Sequence, residues 1–287
     1  MNQPDSRQNG MRFDALLPPE MALKAEEIGV KKSQLDFWST LALAVLAGAF
    51  IALGAVFATV TTAGSTLPFG VTRLLGGVVF SLGLILVVVG GAELFTGNNL
   101  IVMAWVAGKV SLAQLLRNWG IVYAGNFLGA FSVAVMIYVS KQYTFGGGAV
   151  GENALAIAAA KLNLGFLQAL VLGILCNILV CLAVWMSFSA RTTTDRILAV
   201  IPPIAAFVAM GFEHSIANMY FIPVALLIRL DTAFVSSAST PDLTNFNCWT
   251  CITSNLVPVT IGNIIGGGVF VALVYWFIFQ RKHGSEG

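Results

Sequence analysis

The chain has 287 residues, of which 57% are hydrophobic and 10% charged, and its net charge is +2. Soluble domains carry about 25% charged residues, so lipid rather than water must solvate much of this chain, and it reads as a single membrane domain. A charge of +2 with no Arg/Lys-rich stretch excludes a binder of phosphate backbones, and no nucleic-acid partner is expected.

Residues 1–36 form a polar tail, with Asp5, Arg7, Arg12, Asp14, Glu20 and Lys24 among its charges. It lacks the short apolar core and small-residue cleavage site of a signal peptide. Within it, LPPEMALKAEEIGVKK (17–32) predicts a short amphipathic helix started by Pro18 and Pro19. Such a helix would lie on the membrane or on a neighbouring subunit, or act as a lid. Charges then punctuate the chain. Asp36 to Arg73 holds one span over 37–60, and Arg73 to Lys109 is interrupted only by Glu93. Arg117 to Lys141 and Lys161 to Arg191 hold two more. Arg196 to Arg229 is interrupted by Glu213 and His214, and Asp242 to Arg281 holds the last span over 254–280. A spanning helix needs about 20 apolar residues. The expected fold is therefore an all-α integral membrane protein with six transmembrane helices over 37–281 and a short tail, 282–287.

Lys and Arg orient it. One side holds Arg7, Arg12, Lys24, Lys31, Lys32, Lys109, Arg117, Arg191, Arg196, Arg281 and Lys282; the other holds Arg73, Lys141, Lys161 and Arg229. The positive-inside rule puts both termini in the cytoplasm.

The second and fifth segments are too long to be simple helices. Thirty-five residues between Arg73 and Lys109 would span roughly 50 Å at about 1.5 Å per residue, against a core about 30 Å thick. The middle reads Gly90-Gly91-Ala92-Glu93-Leu94-Phe95-Thr96-Gly97-Asn98-Asn99, which predicts a break. The fifth segment centres on Gly211-Phe212-Glu213-His214-Ser215, flanked by Pro202, Pro203 and Pro223. Gly91-x-Glu93-x4-Asn98 parallels Gly211-x-Glu213-x4-Asn218. Asn118-x3-Val122-x2-Gly125-Asn126-x2-Gly129 parallels Asn255-x3-Val259-x2-Gly262-Asn263-x2-Gly266. Both matches in the same order predict a 3+3 inverted repeat, aquaporin-like, with broken second and fifth helices. Broken helices in corresponding positions point to a transport site. Large side chains at Gly91, Gly97 or Gly211 should be tolerated less well than in the outer loop at 146–148.

The candidate residues cluster at the breaks. His214 is the one histidine within a predicted span, and ionisable groups there default to function; tying the broken backbone together is the structural alternative. Thr96 is expected to oppose it in the repeat frame, at the other break. Glu93 and Glu213, with Asn98 and Asn218, are expected to stabilise the breaks, each carboxylate accepting backbone N–H groups freed there. Asn126, Asn177 and Asn263 either line the path or serve close helix packing. Phe80, Leu84, Leu94, Phe95 and Phe207 are possible apolar constrictions in a Phe-rich chain. Lys161, closing the third loop, could gather anions. No metal site is expected, because His214 has no ligand-type partner at suitable spacing. Cys176 and Cys181 read as packing residues. Cys248-Trp-Thr-Cys251 lies on the predicted outer side, where a disulfide is open to it, but it lacks a thioredoxin-type context and no redox role is expected.

LPPEMALKAEEIGV, FSLGLILVVVGGAELFTGN, NWGIVYAGNFLGA, CLAVWMSFSARTTTDR, GFEHSIANMYFIP and NLVPVTIGNIIGGG together resemble the formate/nitrite transporter family, and within it the bacterial formate channels. The resemblance implies a homopentamer in the inner (cytoplasmic) membrane, with one pore per subunit and a lipid-filled central hole. It implies Thr96 and His214 as the central anion-handling pair, Asn177 and Asn263 lining the path, and Lys161 near the outer vestibule. Constrictions would fall at Phe80, Leu84, Leu94, Phe95, Val180 and Phe207. Small monovalent anions are the implied partners: formate first, with nitrite, acetate, lactate and hydrosulfide as further candidates. No cofactor is implied. Transport would be passive, or proton-coupled at low pH through the histidine. An aquaporin would need paired Asn-Pro-Ala motifs, which do not occur. A hydrolase built on Ser81 or Ser215 with His214 lacks a glycine-framed nucleophile, so no enzyme activity is expected. The Cys-Trp-Thr-Cys run is a departure from the family pattern that leaves the pore untouched.

Overall fold

A computed structural model describes residues 15–242, 244 and 246–281. Residues 1–14 and 282–287, with Arg7, Arg12, Lys282 and His283 among them, lie outside the described residues, as do 243 and 245. Among those described there are no strands, two three-residue 3₁₀ turns (Gln142–Thr144 and Gly146–Gly148) and eleven longer helices: α1 (Pro18–Gln34), α2 (Phe37–Thr62), α3 (Phe69–Gly90), α4 (Gly97–Val106), α5 (Leu112–Val139), α6 (Ala149–Leu162), α7 (Phe166–Ser189), α8 (Thr193–Ala209), α9 (Ser215–Ile228), α10 (Thr232–Ser237) and α11 (Cys248–Phe279).

Local signals set the helix starts. The Asp36 carboxylate accepts the N–H groups of Trp38 and Ser39 and opens α2. Ser111 with Gln114, and Thr192 with Asp195, form reciprocal capping boxes at α5 and α8. Five helices, α2, α3, α5, α7 and α11, are long and apolar enough to cross a membrane by length and composition. The count is five because the fifth expected segment is cut into α8 and α9, neither of which reaches that length. Helix α11 begins at Cys248, ahead of the expected 254, and relaxes into π-helical turns at Cys251–Leu256 and Ile265–Leu273.

Both breaks turn on a left-handed glycine. Gly91 has φ +79° and Gly211 φ +75°, a region where a Cβ costs about 1–2 kcal/mol. Two expectations about glycines fail. Gly97 lies inside α4 with ordinary φ, and an added Cβ would only touch Val184 at 3.5 Å. Gly146, Gly147 and Gly148 all have positive φ, so that loop is not a permissive control.

The long helices pack as α2 on α3 and α5, α3 on α8, and α7 on α11, with α9 against α5. Glycines set two of these approaches: a Cβ on Gly129 would overlap the Val45 carbonyl of α2, and one on Gly266 the Ile174 carbonyl of α7. The surface keeps large exposed apolar side chains such as Leu46, Phe57, Leu74, Leu128 and Phe277, as a lipid-solvated chain does. The third loop contains a helix not expected from the sequence, α6, whose Asn153 amide donates to the Thr59 carbonyl and the Thr62 hydroxyl of α2.

Candidate functional site at the two helix breaks

Each break is closed by a polar network, and four bonds of the first recur in the second, whereas the bond of Lys32 to Asn98 Oδ1 has no counterpart at Asn218. At the first, Lys32 Nζ donates to Glu93 Oε1 (2.7 Å) and Asn98 Oδ1 (2.9 Å). Asn98 Nδ2 reaches Glu93 Oε2 (2.6 Å) and Asn118 Oδ1 (2.9 Å), and Asn118 Nδ2 returns to the Lys32 carbonyl (3.2 Å). At the second, Lys161 Nζ donates to Glu213 Oε1 (2.9 Å). Asn218 Nδ2 reaches Glu213 Oε2 (2.7 Å) and Asn255 Oδ1 (2.6 Å), and Asn255 Nδ2 returns to the Lys161 carbonyl (3.1 Å). All four acidic and amide side chains at positions 93, 98, 213 and 218 are buried, so each carboxylate needs its cation.

A second layer ties the freed backbone. Asn126 accepts the Phe95 N–H and donates to the carbonyls of Ala44 and Glu93. Asn263 accepts the Ser215 N–H and donates to those of Gly173 and Glu213. The Glu93 and Glu213 N–H groups go to Leu43 and Leu172 carbonyls. This corrects the expectation that the two carboxylates cap freed N–H groups. Their side chains bind lysine and asparagine, and the amides of Asn126 and Asn263 serve the backbone.

Sequence reasoning missed Lys32, on α1, and the bonding role of Asn118 and Asn255. A signal was present: Lys32 precedes Leu43 by the same interval that separates Lys161 from Leu172. In these networks α6 is the counterpart of α1.

Between the breaks, Thr96 Oγ1 and His214 Nε2 lie 3.0 Å apart, both residues buried. They meet from different halves but are not repeat counterparts. The frame that equates Glu93 with Glu213 places Leu94 opposite His214 and Ile216 opposite Thr96. His214 is also the N-cap of α9: its Nδ1 accepts the Ala217 N–H at 3.1 Å. An accepting Nδ1 means that the neutral ring carries its hydrogen on Nε2, aimed at Thr96. The Thr96 carbonyl accepts from Asn177 Nδ2 (3.2 Å) and Cys181 Sγ (3.3 Å), and Asn177 Nδ2 also reaches the Asn263 carbonyl (2.7 Å). Asn177 Oδ1 is buried without a hydrogen-bond partner.

Two cavities lie about this pair, one lined by Leu94 and Gly97, the other by His214 itself. The α1-side cavity, about 260 Å³, is walled by Lys24, Lys32, Leu84, Leu94, Gly97 and Arg196 among others. Lys24 donates to the Phe188 carbonyl, and burial, then Arg196 and Arg191, hold its ammonium below the usual lysine range. The α6-side cavity, about 700 Å³, is walled by Arg73, Phe80, Lys161, Phe207, His214 and Phe221 among others. Phe80 and Phe207 meet edge to face with centroids 5.7 Å apart, and Phe207 stacks on the His214 ring. Arg73, not singled out from the sequence, donates to the carbonyls of Val208 (2.6 Å) and Ala209 (3.1 Å) and so caps α8 just before Gly211. Phe95 packs on Trp119 and Tyr123, and Val180 is buried in the core; neither borders these two cavities. No group of three or more His, Cys, Asp or Glu suited to a metal occurs among the described residues.

Two cavities, each with basic and apolar side chains in its wall, thus lie about a buried hydroxyl–imidazole contact. Comparison with known proteins gives the family. The family described as formate/nitrite transporter matches residues 19–277. A relative named formate channel FocA, from Escherichia coli K12, is 48% identical over 279 residues, covering 94% of this chain and 97% of the relative. Its namesake in Haemophilus influenzae is 40% identical, covering 93% and 94%. A solved structure described as a pentameric formate channel with formate bound superposes with a TM-score of 0.80 at 47% identity, covering 85% of this chain and 98% of the other.

Proposed function

The chain belongs to the formate/nitrite transporter family, and on that premise we propose that it conducts small monovalent anions, formate foremost, through a pore within each subunit. The named relatives are channels rather than enzymes, and the proposed reaction is passage alone. The subunits form a homopentamer, as the pentameric neighbour supports. Six crossings in a 3+3 inverted repeat, from 37 to 281, are supported by the matching breaks and networks. Both termini face the cytoplasm of a bacterial inner membrane, which the eleven-to-four charge count supports. In that orientation the α1-side cavity is the cytoplasmic mouth and the α6-side cavity the outer one.

The observation that carries the reading is the Thr96–His214 bond between two cavities. Formate is an anion at neutral pH and crosses apolar side chains only if fixed donors replace its water shell. The Nε2–H of His214 and the hydroxyl of Thr96 supply them. Phe80 with Phe207 forms the outer constriction, and Leu84 with Leu94 the inner one. Lys161, itself paired with Glu213, draws anions to the outer mouth. Asn177 and Asn263 shape the wall behind Thr96. Nitrite, acetate, lactate and hydrosulfide are candidate cargo, because the donors recognise charge more than identity.

A neutral ring with its hydrogen on Nε2 donates a hydrogen bond but cannot surrender that proton without becoming an anion. Proton-coupled transport therefore needs a second proton on Nδ1, and that proton displaces the Ala217 N–H and opens the first turn of α9. Acid thereby converts a passive donor into a proton carrier. The test is anion flux into proteoliposomes, comparing formate, nitrite and hydrosulfide at pH about 5.5 and about 7.5, on either side of the ordinary histidine value. Formate should lead in saturable flux. Formate flux no greater than in protein-free vesicles would overturn the reading.

A further inference from the structure

We propose that Cys248 and Cys251 form a reversible disulfide that locks the start of α11, and that the pair is a substrate for dithiol–disulfide oxidants of the outer compartment. The proposal rests on the orientation proposed above, which places 248–251 outside.

Cys248 is exposed, Cys251 is buried, and both are free thiols. Cys248 opens α11, with Asn247 as N-cap accepting the Thr250 N–H at 2.9 Å and its hydroxyl at 3.1 Å. Residues three apart on a helix share a face, and helical Cα separations fall in the range of about 4.4–6.8 Å that a disulfide spans, while the Cβ atoms, about 5–6 Å apart in a helix, must close to about 3.5–4.5 Å, so the bond tightens this first turn. The division of exposure assigns the roles. Cys248 is the sulfur an outside reagent can reach, and Cys251 is the resolving one. Among the described residues no strand lies beside the pair, unlike a thioredoxin-type centre, so the pair receives oxidation rather than dispensing it.

The chemistry is two successive exchanges. The Cys248 thiolate, its proton lost to water, attacks the oxidant's disulfide and expels one thiolate. The Cys251 thiolate, its proton likewise lost, attacks the Cys248 sulfur and expels the second. One S–S bond is made in the chain, one is broken in the oxidant, and two electrons pass to the oxidant, which leaves as a dithiol.

The position gives the bond its consequence. Cys251 is the first residue of the π-helical turn Cys251–Leu256, and Asn255, one turn on, bonds the Lys161 carbonyl and Glu213 Oε2 (3.2 Å). π-Turns of this kind mark functional sites. With the first turn covalently closed, the register of the π turn is held. Without the bond, the turn can slip into α register, rotating Asn255 away from the outer network.

The test uses differential alkylation of membranes from aerated cells. Thiols are trapped with N-ethylmaleimide, then reduced and labelled with its deuterated form before peptide mass spectrometry. Expected is the second label alone at 248 and 251 in wild type, and the first label at both after prior treatment with dithiothreitol. Cys248 carrying the first label in untreated membranes overturns the proposal. Orientation is read separately. In Cys251→Ser, an impermeant maleimide should reach Cys248 in intact spheroplasts, and a requirement for lysis would sink the orientation only. Purified protein in glutathione buffer then still tests the pair. An internal disulfide supports it, and a stable glutathione adduct on Cys248 overturns it. Hydrogen exchange over 251–256 should be slower in the oxidised protein, and equal exchange in the two states overturns the lock.

Discussion

His214 caps its own helix: its Nδ1 takes the N–H of Ala217 at 3.1 Å, while Nε2 faces Thr96. One ring thus bonds its own helix through one nitrogen and the opposite break through the other. Asparagine is a good N-cap and can keep the first while losing the second. His214→Asn should therefore fold and assemble as wild type, measured by native mass spectrometry, but lose the pH dependence of formate flux between about pH 5.5 and 7.5. A wild-type ratio of fluxes at those two conditions would show that the ring is not the switch.

Thr96→Val removes the hydroxyl with little change in shape. Formate conductance should drop at every pH by about tenfold, the equivalent of one hydrogen bond of about 1–1.5 kcal/mol lost to the passing anion. Single-channel recording in planar bilayers reads this directly. Unchanged conductance would mean that the hydroxyl serves only to orient His214.

Removing one lysine leaves a buried carboxylate alone, which costs about 3–5 kcal/mol for a fully buried pair. The Lys161 side chain is 14% exposed and that of Lys32 26%, so Lys161→Met should lower the melting temperature of the purified protein more than Lys32→Met. Adding Glu213→Gln to Lys161→Met should recover most of the loss. Failure of the double variant to recover would argue that Lys161 matters to the fold for reasons other than its partner.

Gly91 and Gly211 hold positive φ at the breaks, and Gly70 has no heavy atom within 4 Å of an added Cβ and no such φ. Alanine at either break should therefore cost about 1–2 kcal/mol and reduce flux, whereas Gly70→Ala should do neither. Equal thermal stability of Gly211→Ala and Gly70→Ala would remove the case for backbone strain at the break.

The breaks were legible because a buried carboxylate, a polar run and a left-handed glycine do not suit a lipid-facing helix. The Asn118/Asn255 and Asn126/Asn263 matches were legible for a related reason: amides that tie down freed backbone recur at fixed spacing. The partners of Glu93 and Glu213 were not. Lys32 and Lys161 lie far from the breaks in sequence, and only the fold brings α1 and α6 over them. Helix α6 was hidden inside what read as a loop, bounded by three consecutive glycines. The π-helical turns of α11 were not legible, because the segment is apolar around nearly its whole circumference and a change of register leaves no gap in such a pattern. Phe95 reads as a constriction by composition and resemblance, yet its ring packs on Trp119 and Tyr123.

The two networks are even-handed, but what they hold is not. Leu94 borders one cavity and His214, its counterpart, borders the other. The smaller cavity therefore has an alkyl chain where the larger has an imidazole, stacked on Phe207 in its wall. A two-fold scaffold thus carries a one-sided lining, so the passage proposed above has unequal ends without any moving part.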